Sequence, residues 1–200
     1  MKYLLNPVDS YDSTKLHHHH HHQQHAMLLS HSDGQDAATR YVNEALSRGY
    51  LTVYLPIITT SSESIDNKEN MNRGNLLTFD TKTFYNFALA GDLQPFEELK
   101  VLIEEAIEEK RIASKRNEEE LIVVVVAGVA AELNRNEKFD ECINVEKWWQ
   151  KTHSEWLHKG LKVTTICPHI NPKLDKGEFM HYKQAISSLH EVVVESGSVP

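Results

Sequence analysis

Apolar and polar residues along this chain follow two alternating periods, and the switches between them predict a repeating order of strands and helices. Residues 26–30 form a short apolar run, followed by turn chemistry in His31-Ser32-Asp33-Gly34. From Asp36 the apolar residues Ala38, Tyr41, Val42, Ala45 and Leu46 recur at helical spacing, and Arg48-Gly49 supplies a basic last turn and a terminal glycine. Residues 51–58 are β-branched and aromatic. A strand, a crossover helix and a second strand of this length make a right-handed βαβ unit, which implies a parallel sheet.

The pattern continues along the chain. Residues 59–74 are rich in Ser, Asn, Glu and Lys and predict a surface loop, whose length suits a lid or contact segment as well as a tolerated insertion. Residues 75–79 read as a short extended piece. Asp80 then caps a helix that carries Phe84, Phe87, Ala88 and Leu89 and ends at Gly91. Pro95 opens a helix with Phe96, Leu99, Ile103, Ala106 and Ile107 on one face and a run of glutamates outside it, a solvated face or a lure for a basic partner. Residues 110–120 read as a charged connection. The unbroken β-branched run at 121–126 predicts a central parallel strand buried on both faces.

Asn144 and Glu146 suit the start of a helix in which Val145, Trp149, Thr152 and Trp156 share a face. Its three tryptophans, Trp148, Trp149 and Trp156, fit core packing or a ligand cage. Residues 161–166 predict a strand that ends at Cys167-Pro168-His169, where the proline turns the chain out of the ladder and leaves thiol and imidazole near the carboxyl edge of the sheet. Residues 171–177 read as a polar loop. Phe179, Tyr182, Ile186 and Leu189 define a last helix, and residues 191–195 a terminal strand. The expected organisation is one α/β domain over residues 25–195, preceded by a disordered arm at 1–24 and followed by a loose tail at 196–200. The histidine tract at 17–22 fits an expression tag or a natural tract.

The first βαβ unit, with Asn43-Glu44-Ala45-Leu46-Ser47-Arg48-Gly49 closing its helix and Thr52-Val53-Tyr54-Leu55 following, resembles the opening of RecA/KaiC-like ATPases. Together with the strand end at Cys167 and the late His190, it resembles more closely the MEDS family. These are sensory domains related to the one in the dichloromethane-responsive regulator of methylotrophs and also found in archaea. The resemblance covers roughly residues 25–195. It implies a RecA/KaiC-like three-layer α/β sandwich with a mainly parallel central sheet flanked by helices. It also implies a non-catalytic sensory role, in which a small ligand, a hydrocarbon or one-carbon derivative, is bound and the signal passes to a separate signalling or regulatory protein.

The hydrolytic equipment of such ATPases is missing from the residues. A phosphate-cradling loop needs several glycines followed by Lys and Ser/Thr. Here Ser30-His31-Ser32-Asp33-Gly34-Gln35-Asp36 has one glycine, no lysine and two aspartates that would repel a triphosphate. A metal-organising carboxylate is expected at the end of the strand over 121–126, yet the first acid is Glu132. Six residues beyond Val126 is about 20 Å of extended chain unless Gly128 reverses it. Glu132 therefore reads as a pocket residue, on the resemblance, or as a solvated carboxylate.

Composition narrows the partners. The chain's 29 acidic and 21 basic residues give a net charge of −8, which argues against nucleic acid. Two cysteines in unrelated contexts suit a reducing cytoplasm, and no apolar run reaches membrane-spanning length. Ligands of open parallel sheets bind beyond the carboxyl ends of the strands. That rule gathers His31, Asp33, Thr59, Thr60, Glu132, Cys167 and His169 as the candidate ligand site. Cys167 and His169 with His31 or His181 could hold zinc, but Cys-Pro-His is no standard zinc spacing. A Cys167/His169 nucleophilic pair lacks a local orienting group. The expectation is therefore no catalytic residue, no cofactor and no metal. The alternatives are a RecA-like regulatory or assembly subunit, self-association included, and, behind it, a Cys/His enzyme.

Overall fold

A computed structural model describes residues 23–30, 35–58, 74–170 and 172–196. They form the strands and helices on a parallel sheet that the periodicity predicts, in the three-layer α/β sandwich that the resemblance implies. In chain order the elements are β1 (His25–Ser30), α1 (Gln35–Ser47), β2 (Leu51–Leu55), β3 (Leu76–Thr78), α2 (Thr81–Leu89), α3 (Gln94–Arg116), β4 (Val123–Ala127), α4 (Val129–Arg135), α5 (Phe139–His158), β5 (Val163–Ile170), α6 (Met180–Ser187) and β6 (Val192–Ser196). The six strands are all parallel and lie in the order β3-β2-β4-β5-β1-β6.

The order explains the layers. The connection from β1 to β2 runs one way along the sheet, and those from β3 through β4 and β5 to β6 run the other way. Right-handed crossovers in opposite directions must use opposite faces. Accordingly Ala38, Tyr41, Val42, Ala45 and Leu46 of α1 pack on Ala26, Leu28, Val124, Val126 and Ile166. The other face carries the remaining helices, with Phe96, Leu99, Ile103, Trp149 and Trp156 against Met27, Val53, Val125, Val163 and Cys167.

Several boundaries differ from expectation for identifiable reasons. Helix α3 runs through the supposed charged connection to Arg116, because its long polar side chains favour helix as long as one face stays apolar. Helix α5 begins at Phe139 rather than near Asn144, since Phe139 and Cys142 extend the buried stripe backwards. Residues beyond Asn171 form two short 3-10 turns, Pro172–Asp175 and Gly177–Phe179, pinned by the fully buried Leu174. All three tryptophans belong to the core. Trp148 Nε1 donates to Glu97 at 2.7 Å and Trp156 Nε1 to Glu104 at 2.9 Å, so two of the α3 glutamates serve the core's edge.

Strand β5 does not stop at Pro168. In a parallel strand successive residues bond alternately to the two neighbours, and Thr165 N donates to Gln24 O on the β1 side. Pro168 therefore faces β4, whose pairing with β5 ended at Val126 opposite Ile166. The missing N–H removes no bond, and the β1 ladder continues to Ile170. The same bond from Thr165 ties Gln24 to β5.

Gly128 makes the reversal after β4. A Cβ there would lie 2.5 Å from Leu55 O and 2.9 Å from both Ile57 N and Pro56 C, so only glycine permits the approach. Its N–H donates to Leu55 O at 2.8 Å.

Candidate functional site

Of the seven residues gathered by the strand-end rule, His31, Asp33, Thr59 and Thr60 lie outside the described residues. The other three do not form one site. Glu132 is brought back by the Gly128 turn and buried, yet it serves the backbone. Its Oε1 accepts from Ile58 N at 2.6 Å, its Oε2 pairs with Arg135, and Arg135 in turn donates to Ile58 O at 2.5 Å. It clamps the chain leaving β2. His169 and Cys167 are both fully buried.

What surrounds Cys167 and His169 is a polar cluster in the layer between the sheet and α5. Side chains of a strand alternate between faces, so His25 of β1 and Thr165, Cys167 and His169 of β5 point to the same face. Helix α5 runs back across that face from the carboxyl to the amino ends of the strands. Glu146 and His153 share a stripe with Trp149 at helical spacing, which aims both inward. The turn from α6 into β6 adds His190. The cluster therefore draws on β1, α5, β5 and the last crossover, elements separated by most of the chain.

Glu146 is its centre. His169 Nε2 donates to Glu146 Oε1 at 3.2 Å, while the Asn134 amide donates to His169 Nδ1 at 2.9 Å and fixes that ring. Oε2 lies 2.7 Å from His190 Nε2 and 3.6 Å from His25 Nε2. His25 Nε2 is also 3.4 Å from Cys167 Sγ. His190 donates its Nδ1–H to Ile186 O at 2.8 Å, which turns Nε2 inward. His153 backs the cluster. It takes the Thr165 hydroxyl on Nδ1 at 3.0 Å, offers Nε2–H to Gln23 O at 3.3 Å, and stacks on His25 with ring centroids 5.8 Å apart.

Burial sets the electrostatics. It would raise the Glu146 carboxyl, but the charge of His190 and the hydrogen bond from His169 outweigh it and hold the group well below the usual carboxylate range. Burial alone would lower His190; the facing Glu146 charge reverses this and raises it. His25 is pushed down to about 3 by burial, against the pull of Glu146, with His190 and His153 adding to the depression. Burial and then the Glu146 charge push the Cys167 thiol well up, so the thiol stays protonated and is a poor nucleophile. Cys142, also buried, donates to Ala130 O at 3.6 Å and has a packing role.

A cleft of about 520 Å3 opens beside this cluster at the amino edge of the sheet. His25, His153 and His190 form its polar floor, Leu157 and Leu189 its apolar walls, and Lys151 and Glu191 its rim. It lies at the opposite end of the strands from the crevice that the strand-end rule selects. Among the described residues no helix is long and apolar enough to cross a membrane.

Fold and site together define a three-layer α/β protein with a buried histidine, glutamate and thiol centre beneath an open cleft. Compared with known families and with curated proteins, the chain matches no family profile and no individual protein.

Local motifs could not reveal this centre, because its residues come one at a time from distant elements. The available signals are positional: a glutamate and a histidine on the apolar stripe of a helix, a histidine opening β1 and another in the turn before β6.

Proposed function

We propose that the protein is a non-catalytic sensory domain that binds a small ligand and passes the signal to a separate protein, with the cleft at the amino edge of the sheet as the binding site. The observation that carries this reading is the cleft itself. Its volume of about 520 Å3 falls in the range of small-molecule pockets, and it joins apolar walls to a few convergent polar groups. The protonated, fully buried Cys167 thiol speaks against covalent chemistry, in keeping with a binding role. The ligand class, a hydrocarbon or one-carbon derivative, comes from the resemblance to MEDS domains. Binding would act by population shift: a ligand bridging α5 and the turn before β6 favours one arrangement of that turn.

The test is thermal unfolding of the full chain against ATP, ADP and a panel of one-carbon, halogenated and short hydrocarbon compounds. A ligand that binds only the folded state must stabilise it. The expected result is a selective rise in melting temperature with one compound class, abolished by Leu157→Trp, which fills the cleft. No response from any compound, or a response that Leu157→Trp leaves intact, overturns the assignment.

A second reading, a regulatory or assembly subunit acting by protein contact or self-association, is favoured by α3. Val101, Leu102 and Ile112 on that helix are 51%, 50% and 47% exposed. A concentration-dependent dimer in sizing experiments, dispersed by Val101→Lys, would support it.

A further inference from the structure

We propose that His25, Glu146, Cys167 and His190 together hold one divalent metal ion of the zinc class in a closed, four-coordinate centre. This goes beyond the sensory reading, since it concerns a resident ion and not the ligand sensed.

Four observations converge. First, His25 Nε2, Glu146 Oε2, Cys167 Sγ and His190 Nε2 come from four separate elements, and one ligand atom of each residue lies within 4.8 Å of the others. A tetrahedral zinc ion with nitrogen and oxygen near 2.0 Å and sulfur near 2.3 Å separates its ligand atoms by roughly 3.3–3.6 Å. The His25–Cys167 and His25–Glu146 distances of 3.4 and 3.6 Å match that separation, and the His190–Glu146 distance of 2.7 Å needs only a small opening.

Second, the cluster contains buried polar atoms without hydrogen-bond partners. Glu146 Oε2 and His190 Nε2, on side chains that are 0% exposed, approach each other without hydrogen-bond geometry. Neither atom has a hydrogen bond of good geometry to any group, so their ion pair alone offsets the burial of both, and a shared ion would give each a directed bond.

Third, the supporting contacts are those of metal ligands. His190 donates Nδ1–H to the Ile186 carbonyl, which leaves Nε2 free to bind, and the other Glu146 oxygen is held by His169, itself held by Asn134. Fourth, the donors are two imidazoles, a thiol and a carboxylate. That set suits zinc and excludes the oxygen-ligated cations magnesium and calcium. The cleft touches His25 and His190 and so provides a route for the ion. Four protein ligands leave no open position, and a closed site holds structure and does not activate water.

On binding, the Cys167 thiol and the His190 imidazolium each give up a proton to solvent, His190 from Nε2, and the freed lone pairs go to the ion, with no change of oxidation state. The test uses Co2+ as the probe metal on the full chain, refolded with the ion under reducing conditions. The histidine tract at 17–22 binds cobalt too, but it has no sulfur, so the thiolate-to-cobalt charge-transfer band reports this centre alone. The expected result is such a band, with intense visible bands of four-coordinate cobalt, saturating at one ion per chain. Cys167→Ser abolishes the band and Cys142→Ser preserves it. Asn134→Ala, which touches no ligand atom, weakens binding by about 10-fold or more. Stoichiometric zinc displaces the cobalt. Absence of the band from the wild-type chain overturns the proposal whether or not the variants fold, as does a band that survives Cys167→Ser. Neither result bears on the ligand panel, so the two readings fail separately.

Discussion

Glu146 is a fully buried carboxylate, and its replacement in metal-free protein gives the sharpest energetic prediction. Oε1 accepts from His169 at 3.2 Å and Oε2 faces His190 at 2.7 Å. Opposite charges at that separation attract by about 6 kcal/mol at an effective dielectric near 20, and the desolvation of both groups opposes this. What remains is the asymmetry of breaking the arrangement. Glu146→Leu leaves His169 Nε2–H without an acceptor and His190 without its counter-charge, an expected loss of about 3–5 kcal/mol. Glu146→Gln keeps an acceptor toward His169 and offers an amide N–H to His190, so about half that loss is expected. Glu146→Leu combined with His190→Leu removes the stranded imidazole and costs less than the sum of the single changes. Urea unfolding in the presence of a chelator measures all five proteins, wild type and His190→Leu alone included. A Glu146→Leu protein as stable as wild type would refute the description of Glu146 as a charged, hydrogen-bonded centre.

Other residues make separate tests. Gly128→Ala forces a methyl group against the backbone of residues 55–57 and should cost about 2–4 kcal/mol in the same unfolding assay, an overpacking effect combined with the weakened bond to Leu55 O. Glu132→Ala strands Ile58 N–H and Arg135 and should cost about 2–3 kcal/mol while leaving the cobalt spectrum unchanged, since this residue clamps the chain after β2 and lies outside the centre. Burial raises the Tyr54 phenol above its usual value, so the folded state holds that proton more tightly. The associated stability is complete below the unfolded value near 10 and declines as pH rises from there toward the folded value, by up to about 1.4 kcal/mol per pH unit. Tyr54→Phe should flatten the alkaline limb of the stability curve by that amount relative to wild type.

The fold was readable because its signals are local. The apolar stripe of α1, the valine run of β4 and the glycine punctuation each lie within one window of sequence, and they suffice for alternating strands and helices on a parallel sheet. Ends were less readable where a tertiary partner decides them. Pro168 looks like a strand terminator until the β4 ladder is known to have stopped at Ile166, and Phe139 looks like loop until the stripe of α5 is seen to extend back to it. The site was hardest to read. Cys167 and His169 lie in the carboxyl half of β5, but the groups that reach them, His25, Glu146 and His190, come across the face of the sheet and not from the strand ends, so the strand-end rule does not gather them. Glu146 looked like a helix start from its charge; in the structure it is mid-helix and inward.

The measurement that bears most directly on the buried centre is anomalous diffraction from crystals of the full chain grown with zinc, with data on both sides of the zinc absorption edge. The account predicts one strong peak about 2.0–2.3 Å from Nε2 of His25, Oε2 of Glu146, Sγ of Cys167 and Nε2 of His190. Peaks confined to exposed histidines, with none beneath α5, would contradict it.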